Sequence, residues 1–145
     1  MVVVDRAGQP VVGATVILTV STSIETGGID LSVAPVTKGT TDGMGRVSVK
    51  WSALRPPMVI VTAQGYRTIG RPISSIAMPF VLEPGRDVPF RILDGQLPIH
   101  GAVTWSVVDS RAGTPDVQIT IASDDRGRGV LSGLGEAPVL VTAHA

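Results

Sequence analysis

Apolar and polar residues alternate along most of this chain with a period of two, the pattern of a half-buried β-strand. The clearest case follows a polar, glycine-rich turn centred on Asp42–Gly45. There Val47, Val49 and Trp51 fall on one side and Ser48 and Lys50 on the other. Ala14–Ser21 predicts a strand with Val16, Leu18 and Val20 inward, its β-branched content arguing against helix. Ile29–Val33, Val103–Val107 and Val117–Ile121 alternate in the same way. Met58–Ala63 is instead apolar almost throughout, which predicts a strand in a central position. Val2–Val4, Ile76–Leu82, Val88–Leu93, Gly129–Leu134 and Pro138–Ala143 complete the set. Pro79 marks an edge, because proline donates no ladder hydrogen bond.

Between these runs stand turn signals: Asp5–Pro10, Pro56-Pro57, Gln64-Gly65, Asp94–Pro98 and the polar loops Thr22–Gly28 and Asp109–Asp116. The 17 glycines and 11 prolines leave little room for long helices. The fold class expected is therefore all-β.

The strand-and-turn pattern occurs twice. Pro10 and Pro98, like Gly13 and Gly101, lie 88 positions apart; Asp42 and Asp124, like Gly45 and Gly127, lie 82 apart. Pro57 and Pro138 differ by 81, and Val61-Thr-Ala63 and Val141-Thr-Ala143 by 80. Order is kept and the offset shrinks only across loops, as two copies of one fold would have it. One residue of mismatch after Ala14 and Ala102 calls for a β-bulge. The expected organisation is a first β-sandwich domain over residues 1–82, a short stiff linker over 83–87, and a second domain over 88–145. The second has nothing matching Tyr66–Leu82, so it is either incomplete or completed from outside.

Val4-Asp-Arg-Ala-Gly-Gln-Pro-Val-Val-Gly-Ala14, Thr41-Asp-Gly-Met-Gly-Arg46 and Val61-Thr-Ala-Gln-Gly-Tyr66 carry a resemblance. They are similar to the carboxypeptidase regulatory-like (transthyretin-like) domains and to the bacterial immunoglobulin-like repeats of invasin and intimin stalks. The resemblance implies two tandem Greek-key β-sandwich domains. It covers most of the first unit. The second departs from it, with Asp-Asp-Arg-Gly at the turn and no Gly-Tyr after Ala143. These motifs mark turns, so they speak to fold and hardly to activity.

Charge and composition narrow the function. Twelve basic and twelve acidic residues balance, so no net field draws nucleic acid or an anionic membrane. No apolar run reaches the roughly 18–20 residues of a membrane-spanning helix. With no cysteine there is no disulfide and no thiolate metal site. The start, Met1-Val-Val-Val-Asp5, lacks the basic residues and length of a signal peptide. It reads as the inside of a strand, as expected either of a cytoplasmic protein or of a piece cut from something longer.

No residue set amounts to an active site, and no catalytic, cofactor-binding or metal-binding residue is assigned. His100 and His144, the only histidines, read as surface residues. Ser132, in Val-Leu-Ser-Gly, lacks the nucleophile elbow. Gly127–Gly133 lacks the helix that a phosphate loop needs behind it. The enzymes built on transthyretin-like sandwiches need two Tyr and two His, or a terminal Tyr-Arg-Gly-Ser; this chain has one Tyr and ends Val-Thr-Ala-His-Ala. Asp124 and Asp125, with Asp94 or Asp5, are hard-oxygen ligands suited to calcium, set against the reading of Asx turns. Trp51 and Trp105 are sugar-stacking platforms if exposed, inter-sheet packing if inward. Tyr66 suits a tyrosine corner. Lys38 and Lys50 are the only lysines that an isopeptide crosslink could use.

The function expected is a non-catalytic structural spacer or adhesive segment of a larger surface, filament or virion assembly, extracellular or on the cell surface. Its partners would be proteins, by self-association or strand exchange with neighbouring domains, without nucleic acid or membrane insertion. The alternative is a carbohydrate- or peptide-binding accessory module of a secreted enzyme.

Overall fold

The computed structural model describes residues 1–20, 23–26, 36–51, 57–75, 78–107, 117–136 and 139–144. It is all-β and built of several sheets. Within the described residues the strands are β1 (Val3–Asp5), β2 (Thr15–Thr19), β3 (Ser23–Thr26), β4 (Val36–Thr40), β5 (Met58–Thr62), β6 (Ile69–Pro72) and β7 (Phe80–Leu82). They continue with β8 (Arg86–Arg91), β9 (Leu93–Asp94), β10 (Leu97–Pro98), β11 (Ala102–Val107), β12 (Val117–Ala122), β13 (Arg128–Leu134) and β14 (Val141–His144). One 3-10 turn, Ile73–Ser75, interrupts them, and no helix among the described residues is long and apolar enough to cross a membrane.

Two four-stranded sheets dominate. In the first half the order is β4-β2-β5-β6, antiparallel throughout; in the second it is β14-β11-β12-β3. Opposite the first sheet lies the parallel pair β1-β7, and β8 pairs antiparallel with β13. Val16, Leu18, Val59, Val61, Phe80 and Leu82 belong to one buried cluster; Val103, Trp105, Ile119, Leu131 and Leu134 belong to another.

The sheet of β2 and β5 feeds both clusters. Val59 and Val61 pack into the first, while Met58 and Ile60 pack into the second with Ile17 beside them. That is why Met58–Val61 is apolar at consecutive positions: a strand buried on both faces has no polar side to show. The two halves thus meet across one shared layer.

Residues 83–87 are tied on both sides rather than forming a free joint. Arg67 N–H donates to the Glu83 carbonyl (2.8 Å), Gly85 N–H to the Gly65 carbonyl (2.9 Å), and β8 begins at Arg86. Thr68 N–H reaches across to the Gly133 carbonyl (2.9 Å), clamping the second half to the same segment.

Several expectations need correction. Ser23–Thr26, read as part of a polar loop, forms β3 and pairs in parallel with β12, placing a first-half segment in the second-half sheet. Val20 is exposed, because β2 ends at Thr19. Arg46–Trp51 keeps its alternation, with Val47 buried and Ser48 and Lys50 exposed, but residues 47–51 lie in no strand. Beside it, Val2 bridges Arg46, and Met1 exchanges backbone hydrogen bonds with Val47. The expected strand at Ile29–Val33, the loop Asp109–Asp116 and the Pro56 turn residue lie outside the described residues.

Candidate functional site

The polar chemistry of the chain is concentrated in its turns. Asp42 Oδ1 accepts the backbone N–H groups of Met44 and Arg46, both at 2.9 Å; Gly45 N–H donates to the Asp42 carbonyl. Asp124 Oδ1 accepts those of Arg126 (2.9 Å) and Arg128 (2.8 Å), and Gly127 N–H closes the same turn. Asp5 Oδ1 repeats the arrangement with Ala7 (2.8 Å) and Gln9 (2.9 Å), closed by Gly8. The sequence shows the first two as copies. The third was legible as a turn but not as the same device, though Asp-x-x-Gly with its glycine three residues on is common to all.

These bonds favour the ionised carboxylate. The N–H groups of Arg46 and Met44 hold the Asp42 carboxyl below its ordinary range, and that of Arg128 chiefly does the same for Asp124. Glu83 is likewise held low by its hydrogen bond from Arg6 at 3.0 Å, with Arg67 behind at 3.5 Å.

A hydroxyl precedes each of the two long-range turns. Thr41 Oγ1 accepts from Ala14 N–H (2.8 Å) and donates to the Val11 carbonyl (2.7 Å) while buried. Buried Ser123 Oγ accepts from Gly101 N–H at 2.9 Å. Ala14 therefore corresponds to Gly101, an offset of 87, which also brings Val16 onto Val103 and Leu18 onto Trp105. No bulge is needed within the strand. The residue of difference lies in the preceding turn, where Val12-Gly13 is matched by His100 alone.

Beside the Asp42 turn lies a cleft of about 640 Å³, entering between Val47–Val49 and the inner face of β2 and β5. Met1, Val16, Leu18, Val49 and Val59 line it, with exposed Ile73 and Met78 at its rim. Its walls are aliphatic. Among the described residues, Asp42 and Arg46 bring charged side chains to it.

No protein-family model matches the chain, and no curated protein or solved structure matches it.

The residues singled out by sequence do not converge. His100 is exposed, its Nδ1 3.5 Å from the Asp124 carbonyl, and His144 is exposed on β14. Ser132, Lys38 and Lys50 are exposed in separate elements. Asp124 spends one carboxylate oxygen on its own turn, and among the described residues no three metal-ligating side chains cluster. Trp105 is 3% exposed in the second cluster, so its faces are covered; Trp51 and Tyr66 pack partly buried against the first. Sequence reasoning missed the cleft. Its one signal was the alternating Val47–Trp51 stretch.

Proposed function

We propose that this chain is a non-catalytic structural module, two tandem Greek-key β-sandwiches of the immunoglobulin- or transthyretin-like kind, acting as a spacer or adhesive segment in a larger surface, filament or virion assembly. The observation that carries this reading is the shared sheet. Met58 and Ile60 on one face of β5, and Val59 and Val61 on the other, join both halves through continuous packing. The clamp around Tyr66–Thr68 restrains the connection by hydrogen bonds as well. A spacer needs this stiffness; a pair of independently mobile binding modules does not. Asp5 and Asp124, which the sequence offers as hard-oxygen ligands, each accept backbone N–H groups within their own turns. Protein contacts would use the exposed apolar residues and open sheet edges.

The carbohydrate-binding alternative draws less support, since Trp105 lies in the core. Antibody raised against the folded chain, applied to intact source cells or particles, tests the assembly role. Regular decoration of a surface or filament is expected. Label confined to the soluble fraction, together with specific signals on a glycan array, would overturn it in favour of the accessory module.

A further inference from the structure

Val88 and Phe90 of β8 pack into the second cluster, so Pro89 and Arg91 face outward from the β8–β13 ladder. There Arg91 stands directly opposite Arg128. The next rung carries the bond from Ile92 N–H to the Gly127 carbonyl at 2.7 Å. The two arginines therefore form a non-hydrogen-bonded pair, the kind whose side chains lie closest. Like charges so placed destabilise a sheet. Both are exposed, and among the described residues neither guanidinium is held in a salt bridge. Two positions along the same face stand Pro89 and Val130, opposite each other and exposed. These four residues line a shallow groove of about 600 Å³. Asp124 lines it too, with its Oδ1 already taken by the N–H groups of Arg126 and Arg128.

The internal repeat shows what is particular to this face. Val3 N–H donates to the Gly45 carbonyl at 2.8 Å as Ile92 N–H does to that of Gly127, which matches Arg91 to Val2 and Arg128 to Arg46. The first-half pair thus carries one charge where the second carries two. The same match sets Asp94 against Asp5. Asp5 spends Oδ1 on the N–H groups of Ala7 and Gln9. The chain from Asp94 to Pro98 is one residue shorter than that from Asp5 to Pro10, and Asp94 accepts no hydrogen bond among the described residues. It is exposed on the β9–β10 hairpin, opposite Leu97, which is 72% exposed. One exposed feature thus joins two arginines to an apolar pair, and the other joins a free carboxylate to a leucine.

We propose that the tip of the β9–β10 hairpin of one copy docks on the arginine face of a second copy of this chain. Asp94 sits between the guanidiniums of Arg91 and Arg128, and Leu97 lies on Pro89 and Val130. The spacing suits this, since the acid and the leucine are about 5 Å apart across their ladder. The charged and apolar pairs are about 7 Å apart along the strands, a difference within side-chain reach. A carboxylate shared by both guanidiniums relieves their repulsion and gains charge-assisted hydrogen bonds. The occupant is a second copy because the chain carries both parts of the contact. Its formal net charge of zero also leaves no long-range repulsion between copies. The inference goes beyond the mechanical role, which is read out separately by surface decoration.

The test is sedimentation equilibrium of the full chain at rising concentration. The weight-average mass is expected to climb above the 15.0 kDa of one copy by about 1 mM. Two variants follow, an Arg91→Glu, Arg128→Glu double variant and Asp94→Arg. Each alone sets like charges face to face and is expected to weaken association at least about tenfold. An equimolar mixture of the two is expected to associate as the unaltered chain does. In it the reversed face of one variant meets the reversed tip of the other, and the remaining contact keeps its original charges. Recovery in the mixture also shows that both variants are folded. A mass that stays at one copy throughout, variants that associate as well as the unaltered chain, or a mixture no better than its components would overturn the proposal.

Discussion

Single residues carry the turns, and they do so through backbone geometry. Gly45 adopts a φ of 69°, and a Cβ there would run into the Val3 carbonyl oxygen. Gly43, two residues before it, has open space and no such φ. Gly45→Ala is expected to cost about 1–3 kcal/mol and Gly43→Ala well under that, measured by urea unfolding. Thr41 offers a second test. Thr41→Val leaves the Ala14 N–H and the Val11 carbonyl without their buried partner, at about 1–3 kcal/mol, whereas Thr41→Ser keeps the hydroxyl and restores most of it. Asp42 and Asp124 set a pH dependence. Their folded pKa values are depressed, so their contribution is fully present above the ordinary carboxylate range and is lost as pH falls through the lower folded values. The acid limb of a Tm–pH curve should flatten in the Asp42→Asn, Asp124→Asn double variant. An unchanged limb would show that the turn carboxylates contribute nothing there.

At the scale of elements, the alternation of Val16, Leu18, Val103 and Trp105 identified inward faces because side chains in a strand point to opposite sides in turn. It did not identify partners. Val47, Val49 and Trp51 alternate as well as any strand in the chain, yet among the described residues no strand includes residues 47–51. Alternation is a property of one segment; a ladder needs a second one in register. The reverse holds for Ser23–Thr26. Nothing apolar recurs there to announce a strand, but β12 offers an open edge and the backbone of β3 takes it. The candidate cleft was not legible in the sequence, because its lining residues Val16, Val47 and Val59 come from segments that only folding brings together.

At the scale of the whole molecule, the decisive feature is that β5 is buried on both faces. Ile60, 2% exposed, sits in the second cluster although it belongs to the first half. Ile60→Ala is expected to lower stability by about 2–5 kcal/mol and to be felt in both halves. Trp51 and Trp105 report the two halves by fluorescence, each alone when the other is replaced by Phe. In the otherwise unaltered chain both probes should give one coincident denaturant transition. Ile60→Asp, which places a carboxylate between the layers, should lower both midpoints and separate them. Two well-separated transitions before any such change would mean that the halves fold independently and the shared sheet does not couple them.

The local order of this chain is written in its residues: which segments extend, which side of each faces inward, and where aspartate and glycine bend the backbone within five positions. Those features depend on neighbours one to four residues away, so one segment suffices to show them. Which strand lies beside which, that β3 joins the far sheet, that Met58 and Ile60 serve the opposite core, and that Val47–Val49 borders a cleft, came only from the folded chain. Valine-rich strands are nearly interchangeable as partners. Their assignment is settled by pairing among residues as far apart as Thr15 and Thr62, Val3 and Phe80, or Ser23 and Gln118, which no single stretch of sequence contains.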